Sequence, residues 1–179
     1  MNGDDASTAE GIMRTERLVL RPWRVRDAEF HHRLWEERDP RVPTPRRIGP
    51  DGRPTVSDLE VRLRDYDSVP APGLLVVELH DTAVAVGYCG LVANSVGRPE
   101  EPELAYEFLR AFWNLGYATE AAEVIVRRAR LIGYQHLAAS VRQWNTASLR
   151  VLEKLGFVDT GEKELDDMHG DSLLLRKTL

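Results

Sequence analysis

Residues 113–121 have the sequence WNLGYATEA, and the interpretation of the whole chain starts from this stretch. An apolar run typical of a strand precedes it, and an amphipathic helical pattern follows it. A turn that carries one glycine and opens a helix presents free backbone N–H groups at the positive end of the helix dipole. Such a turn binds anions, most often phosphate, so we expect the chemistry between residues 103 and 157. A tight connection that binds nothing is the alternative for this turn taken alone.

The composition is that of one ordinary globular domain. The chain has 179 residues, of which 42% are hydrophobic and 30% charged, and its formal net charge is −5. This length is sufficient for a single domain with a sizeable core. The negative charge argues against non-specific binding to nucleic acid or to an anionic membrane. Residues 1–13 are polar and acidic, so we expect a disordered tail there and one domain over 14–179.

Cysteine usage and hydropathy argue against a disulfide-bonded protein, a cysteine metal protein and a membrane-spanning protein. Cys89 is the only cysteine, so neither an intrachain disulfide nor a cysteine metal cluster can form, and we predict no metal site. Cys89 lies in an apolar run, which indicates a buried structural thiol rather than a reactive one. No secretory signal is visible, and no segment approaches the ~20 apolar residues of a membrane helix, which favours a cytoplasmic location.

The hydrophobic periodicity predicts strands and helices in an order typical of an α/β fold. Strands are predicted over 17–23, 74–79, 83–92, 103–109, 136–141, 157–160 and 172–176. Helices are predicted over 27–38, 57–66, 117–132 and 145–155. Residues 39–54 are rich in proline, arginine and glycine and form a long loop, which in a compact domain is often functional. The order predicts a mixed sheet with helices on both faces.

The strand at 103–109 places two carboxylates on one face. Its period-two geometry puts Glu103 and Glu107 beside Ala105, while Tyr106 and Phe108 line the opposite face. Partial burial would raise the pKa of these carboxyls and suit base catalysis. A solvated strand face is the alternative.

Residues 145–157 run from NTAS to KLGF and predict a helix that begins at Asn145 and ends at Gly156. Ser148 shares its apolar face with Leu152. A buried hydroxyl needs a partner, so Ser148 is a candidate functional residue. A serine bonded to its own helix start, and Asn145 as a plain N-cap, are the alternatives.

These three segments, in this order and spacing, resemble the GNAT N-acetyltransferase superfamily, most closely its RimJ/RimL-like branch. In that branch an acidic-apolar strand precedes a turn like WGKGYATEA, and a helix of the form N-x-x-S…EKLGF follows. The opening TERLVLRPW at 15–23 is similar to the branch's first strand. The resemblance covers roughly residues 15–179 and implies a twisted, mostly antiparallel mixed sheet. Asn114 and Leu115 depart from the branch's glycine and basic residue, which removes one favourable charge near the phosphates.

The resemblance implies acetyl-CoA as the cofactor and an amine as the acceptor. The cofactor-binding residues it implies are Phe108, Leu109, Arg110, Leu115, Gly116, Tyr117, Ala118, Thr119, Asn145 and Ser148. Glu103 matches the branch's acidic strand residue and is implied as the base, acting through water. Many superfamily members place a tyrosine where this chain has Leu152, so Ser148 is the substitute candidate for protonating the leaving thiolate.

The acceptor site is implied near the first helices and the 39–54 loop, with His31, Trp35 and Glu107 as candidates. A core histidine is the alternative for His31. The predicted activity is transfer of an acetyl group to a primary amine, a protein N-terminus or a small molecule, by direct attack in a ternary complex. An acyl-CoA-binding module with little catalysis, acting as a sensor or interaction subunit, is the first alternative. A structural interaction protein is the second alternative. Homodimers are common in the family, so the resemblance makes a homodimer a candidate assembly.

Overall fold

The computed structural model describes residues 11–66, 71–94 and 97–179, and these ranges contain eight strands and four helices. The strands are β1 (Met13–Arg14), β2 (Leu18–Arg21), β3 (Leu74–Leu79), β4 (Ala85–Val92), β5 (Glu103–Phe108), β6 (His136–Arg142), β7 (Val158–Glu164) and β8 (Ser172–Thr178). The helices are α1 (Ala28–Glu36), α2 (Val56–Arg64), α3 (Tyr117–Leu131) and α4 (Thr146–Lys154).

All eight strands belong to one sheet, in the order β1-β2-β3-β4-β5-β6-β8-β7. Neighbouring strands are antiparallel except β5 and β6, which are parallel. The ladder between β5 and β6 holds a single pair among the described residues, Glu103 opposite Ala138, and the two strands diverge beyond it. The predicted α/β fold with a mixed, mostly antiparallel sheet is therefore confirmed.

Helices cover both faces of the sheet, as predicted. Helix α3 packs its stripe of small and branched residues into the larger core, where Ala121, Ala122 and Ile125 have no exposed surface. On the opposite face α1 packs Phe30 and Leu34 against the sheet. Small alanine side chains let α3 approach the strands closely, which brings the start of the helix next to the end of β5.

Several element boundaries differ from the prediction. Met13 pairs with Leu20 in β1, a short strand that the sequence did not predict, and residues 1–10 of the predicted tail lie outside the described residues. Strand β7 continues to Glu164 rather than stopping at Thr160. Its side chains are exposed throughout, so no burial alternation marked its length in the sequence.

Arg21 is a buried cation that ties β2 to its neighbours. Its guanidinium donates to Asp27 at 2.7 Å and to Glu78 at 2.8 Å, and only 4% of the residue is exposed. Asp27 precedes α1, so this network fixes where the first helix leaves the sheet. Cys89 is fully buried, and burial raises the pKa of its thiol, which agrees with a structural role. In the described parts of the chain, no helix is long and apolar enough to cross a membrane.

Candidate active site

The gap between β5 and β6 is edged by backbone groups that no strand pairs. The Leu109 N–H donates to the Val86 carbonyl at 3.0 Å, which fixes the alternation of β5 against β4. Alternate peptide groups of an antiparallel pair point to opposite edges, so those of Tyr106 and Phe108 face the gap. On the other side the Ser140 N–H also points into the gap. A ligand with amide groups could therefore pair with this edge.

Glu103 lies at the closed end of the gap. Its carboxylate accepts a hydrogen bond from the Ser140 N–H at 3.2 Å, the first N–H of β6 beyond the single ladder pair. Burial raises the pKa of Glu103 above its ordinary value, the hydrogen bond from Ser140 and the charge of Arg46 oppose that rise, and Glu164 adds to it. The carboxyl is thus half-buried with a raised pKa, which is the environment that the strand alternation predicted, rather than a solvated face.

Glu107 lies on the same face but is held in an ion pair. Arg38 donates to its two carboxylate oxygens, from Nε at 2.7 Å and from the guanidinium end at 2.5 Å. The same guanidinium lies 4.4 Å from the centre of the Trp35 ring. The structure therefore brings the predicted residues Glu107 and Trp35 together through Arg38, a residue that the sequence analysis did not single out.

The 39–54 loop crosses the gap on the face covered by α1. Arg38, just before the loop, is bound to β5, and it also donates to the Arg46 carbonyl. Arg41 lies 4.1 Å from the ring centre of Trp144, which follows the end of β6. The loop therefore spans from one side of the gap to the other, and it places Arg46 where its charge acts on Glu103.

His31 belongs to an aromatic cluster beside this loop. Its ring centre lies 4.8 Å from that of Trp23, and its Nε2 accepts a hydrogen bond from the Trp35 indole at 3.0 Å. Burial lowers the pKa of His31 to about 4, with the charges of Arg38 and Arg62 acting in the same direction. Its buried Nδ1 has no hydrogen-bond partner among the described residues. His31 is therefore a neutral, packed histidine, which is closer to the core alternative than to an exposed acceptor contact.

The turn before α3 has the geometry of an anion site. Gly116 caps the helix with φ of 82°, and Asn114 also lies in the left-handed region with φ of 61°. Asparagine is among the non-glycine residues that best tolerate this conformation, which explains how it replaces the branch's glycine. The N–H groups of 114–119 have no acceptor within the described residues. Several successive N–H groups at a helix start are a ready binding surface for phosphate oxygens.

A distant arginine lies beside this turn. The Arg17 guanidinium donates to the Leu115 carbonyl at 3.0 Å and to the Glu120 carboxylate at 2.7 Å. It also lies 4.7 Å from the centre of the Tyr117 ring. Arg17 therefore supplies a cation near the place where the turn itself lacks a basic residue, although Glu120 pairs with it. No local pattern could have indicated this contact, because Arg17 lies in another part of the sequence.

Three of the implied cofactor residues at the end of β5 are engaged in other contacts. Phe108 and Leu109 are 7% and 4% exposed, and the Leu109 N–H is bound to β4. The Phe108 carbonyl accepts from the Trp113 indole at 2.6 Å, so the Phe108 N–H is the backbone contact that this pair offers to a ligand. Arg110 donates from its side chain to the Glu37 carbonyl, at 2.6 and 3.0 Å. Its guanidinium thus joins α1 to the turn and does not point freely into the gap.

The start of α4 faces the gap from the other side. Asn145 accepts from the Ser148 N–H at 3.2 Å, so it is the N-cap that the alternative described. The Ser148 carbonyl accepts from the Tyr106 hydroxyl at 3.0 Å, and the Ser148 side chain also hydrogen-bonds with that phenol. Leu152 has no exposed surface. Tyr106 is therefore a polar group at this position that the sequence analysis assigned only to the apolar face.

Comparison with known proteins matches the chain to one protein family. A family model described as an acetyltransferase (GNAT) domain matches residues 17–158. The protein YkkB of Bacillus subtilis is 35% identical over 86 residues, which are 46% of this chain and 49% of that protein. The chain thus matches about half the length of that curated relative.

Solved structures show the same fold. A GNAT-family acetyltransferase from Bordetella pertussis superposes with a TM-score of 0.73 at 24% identity, covering 93% of this chain and 99% of that chain. A mutant of the spermidine N-acetyltransferase SpeG from Vibrio cholerae superposes with a TM-score of 0.68 at 16% identity, covering 92% and 95%. With the family model matching most of its length, the chain belongs to the GNAT acetyltransferase family.

Proposed function

We propose that this protein is an N-acetyltransferase, which moves the acetyl group of acetyl-CoA, the donor of its family, to a primary amine. The observation that supports this most strongly is the position of Glu103. A half-buried carboxyl with a raised pKa lies at the closed end of a gap in the sheet, and the other end of β5 leads to the anion-binding turn. A proton acceptor and a diphosphate site are thus joined by one strand edge.

The residues present fit coenzyme A. The N–H groups of 114–119 and the positive end of the α3 dipole would hold the diphosphate. The peptide groups of Tyr106 and the N–H of Phe108 would pair with the amides of the pantetheine arm. Asn145 uses its oxygen as the α4 cap, which leaves its amide nitrogen to donate from the opposite side of the gap. When bound, acetyl-CoA supplies the activated acetyl group.

Glu103 is the proposed base. An amine attacks a carbonyl only in its neutral form, so a group at the site has to take up a proton. The raised pKa of Glu103 makes its carboxylate a better base than an exposed glutamate, and the same carboxylate remains anchored by Ser140. The unpaired N–H groups of the β5 edge can donate to the carbonyl oxygen of the acetyl group.

A proton donor is also needed for the departing sulfur, and we assign it to the place where Tyr106 of β5 meets the start of α4. Ser148 was the candidate from the sequence, and the Tyr106 hydroxyl lies against its carbonyl. Burial raises the pKa of Tyr106, so its phenol stays protonated at neutral pH and available as a donor. A phenol is also a stronger acid than a serine hydroxyl, which favours Tyr106 in this role.

The test of the proposal is Glu103→Gln. We expect turnover to fall by about a hundredfold or more, since a positioned base contributes on that order, while the affinity for acetyl-CoA measured by calorimetry stays the same. Glu164→Gln is the matched control, because Glu164 acts on Glu103 only through its charge. Unchanged turnover would remove Glu103 from the mechanism. Absence of acetyl-CoA binding in the unmodified protein would remove the function itself.

A second candidate is an acyl-CoA-binding module with little catalysis. The observation that favours it is the fully buried Leu152 at the position where many relatives carry an acid. This candidate predicts tight binding of acetyl-CoA without acetylation of any amine in a broad panel. The RimJ/RimL-like branch and a homodimer remain predictions from the resemblance, and the cytoplasmic location remains a prediction from the sequence pattern.

A further inference from the structure

We infer that the acceptor is a primary amine that also carries a carboxylate, and that Arg46 and Arg62 bind this carboxylate on the α1 face of the gap. The inference deepens the proposed function and rests on it. Its basis is the pair of exposed guanidinium groups on this face that form no ion pair within the described residues.

Three carboxylates of this face are already engaged, while the exposed Glu164 acts on Glu103 through its charge. Glu107 is bound at both oxygens by Arg38, and Glu103 accepts from the Ser140 N–H. Asp39 is paired with Arg41 in the loop above them. A polyamine carries a second positive charge that needs an acidic partner, and among these three described carboxylates none is left to supply one.

Two guanidinium groups of the same face, by contrast, form no ion pair within the described residues, although the charge of Arg46 acts on Glu103. Arg46 is exposed at the end of the 3-10 turn Thr44–Arg46, and Arg38 anchors its backbone carbonyl. Arg62 is exposed on α2, with its guanidinium 5.6 Å from the ring centre of Trp35. Both cations thus project from segments with defined positions, although the chain as a whole carries a net charge of −5.

The crowding of like charges around one indole strengthens the case for an anion. Arg38 and Arg62 both lie near the Trp35 ring, at 4.4 and 5.6 Å from its centre. Glu107 compensates Arg38, but no described carboxylate compensates Arg62. Neighbouring cations repel each other unless an anion lies close to them, so a bound carboxylate would lower the energy of this arrangement. Its amine would then extend toward Glu103.

The experiment compares amines that differ only in the carboxylate. We would measure kcat/KM for 4-aminobutyrate against 1-aminobutane, with spermidine as the polycationic arm, and titrate 4-aminobutyrate into the protein–coenzyme A complex by calorimetry. We expect the carboxylated amine to be preferred by about tenfold or more, the usual strength of a hydrogen bond to a charged group. The preference should lie mainly in KM, and spermidine should be the poorest acceptor.

The arginines are tested by the selectivity ratio, which does not depend on the fraction of active protein. Arg62→Gln, and more strongly the double variant with Arg46→Gln, should reduce the ratio toward one, while Arg62→Lys should retain most of it. Arg64→Gln is the matched control, because Arg64 lies on the same helix but faces Glu60. The ratio in this control should equal that of the unmodified protein.

Two results would overturn the inference. One is an equal kcat/KM for the two amines in the unmodified protein, and the other is a preference that the double variant leaves intact. Acetylation of neutral amines without preference would overturn this inference and leave the proposed function standing. If no amine is acetylated and 4-aminobutyrate does not bind, both fall together.

Discussion

Arg17 and Glu120 lie 103 residues apart in the chain and join the turn between β1 and β2 to the first turn of α3. The Glu120 carboxylate accepts from the Arg17 backbone N–H at 3.0 Å and from its guanidinium at 2.6 and 2.7 Å. The guanidinium also donates to the carbonyl of Leu115. The turn before α3, the proposed anion site, is therefore held in place by a residue that does not belong to it.

Arg17→Gln should weaken the binding of coenzyme A. Without the guanidinium, the Leu115 carbonyl and the Glu120 carboxylate lose their common donor, and the N–H groups of the turn lose their fixed orientation. We expect the Kd for coenzyme A to rise by about threefold to tenfold, as for a partly exposed ion pair in a network. Calorimetry gives this value directly.

The control for Arg17 is Arg14→Gln, since Arg14 is an exposed arginine of β1. A double-mutant cycle with Glu120→Gln separates the ion pair from the overall charge. If Arg17→Gln and Arg14→Gln weaken the binding equally, Arg17 acts only as a remote positive charge and does not position the turn.

The pH dependence of kcat/KM should respond to the charged residues near Glu103. The base has to be ionised, so kcat/KM should rise with pH through the pKa of Glu103, which lies above the ordinary value for a glutamate. The charge of Arg46 lowers this pKa and that of Glu164 raises it. Arg46→Gln should therefore move the acidic limb of the profile to higher pH, and Glu164→Gln should move it to lower pH.

Opposite shifts from these two variants are the diagnostic result. Glu103→Gln should abolish the limb altogether, which serves as the control. Shifts of the same sign in both variants would show that a different group controls the limb.

His31 should make the protein less stable in mild acid. Its pKa is about 4 in the folded protein and about 6.5 in the unfolded chain, so the unfolded state binds the proton first. The contribution of the neutral ring is complete above about pH 6.5 and is lost as the pH falls toward 4, by at most about 3 kcal/mol.

Urea unfolding at pH 7 and pH 4.5 measures this effect of His31. His31→Phe keeps an aromatic ring against Trp23 and removes the titration, so this variant should lose less stability between the two pH values. His80→Gln, in an exposed turn, is the control. Equal losses in the variant and in the unmodified protein would contradict a buried neutral His31.

Tyr106 and Ser148 can be separated as proton donors. Tyr106→Phe removes a hydroxyl that donates to the Ser148 carbonyl, and Ser148→Ala removes the hydroxyl next to that phenol. We expect Tyr106→Phe to lower kcat by about tenfold to a hundredfold, and Ser148→Ala to have a smaller effect. Rapid-quench measurement of the acetyl-transfer step excludes product release as the cause.

A structural role is the competing explanation for Tyr106. It predicts that Tyr106→Phe lowers the melting temperature and raises KM while the acetyl-transfer rate at saturation stays unchanged. The reverse order of effects, with Ser148→Ala the slower enzyme, would return the role to Ser148.

The features predicted correctly from the sequence are those in which apolar and polar residues alternate with the period of a strand or a helix. The alternation of β5 placed Glu103 and Glu107 on one face, and the helical stripe of α3 is buried as expected. The turn at 113–121 lies at the start of α3, as its glycine and its flanking patterns indicated.

The contacts that the sequence could not predict join residues far apart in the chain. Arg38 binds Glu107, and Arg21 is buried between Asp27 and Glu78, although arginine in a predicted strand is normally expected to face solvent. A charged side chain can be buried when its partners are buried with it, and no periodicity in the sequence reveals such partners. For the same reason the engagement of Arg110 with α1 was missed.

The single backbone pair between Glu103 and Ala138 has a mechanical consequence. This one ladder pair joins two parts of the sheet, the five strands β1 to β5 and the three strands β6, β8 and β7. A ligand bound along the β5 edge would add contacts between the two parts of the sheet, and these parts would then unfold together. Amide hydrogens of β6 and β8 should then exchange more slowly with deuterium when coenzyme A is bound, even at positions that the ligand never touches.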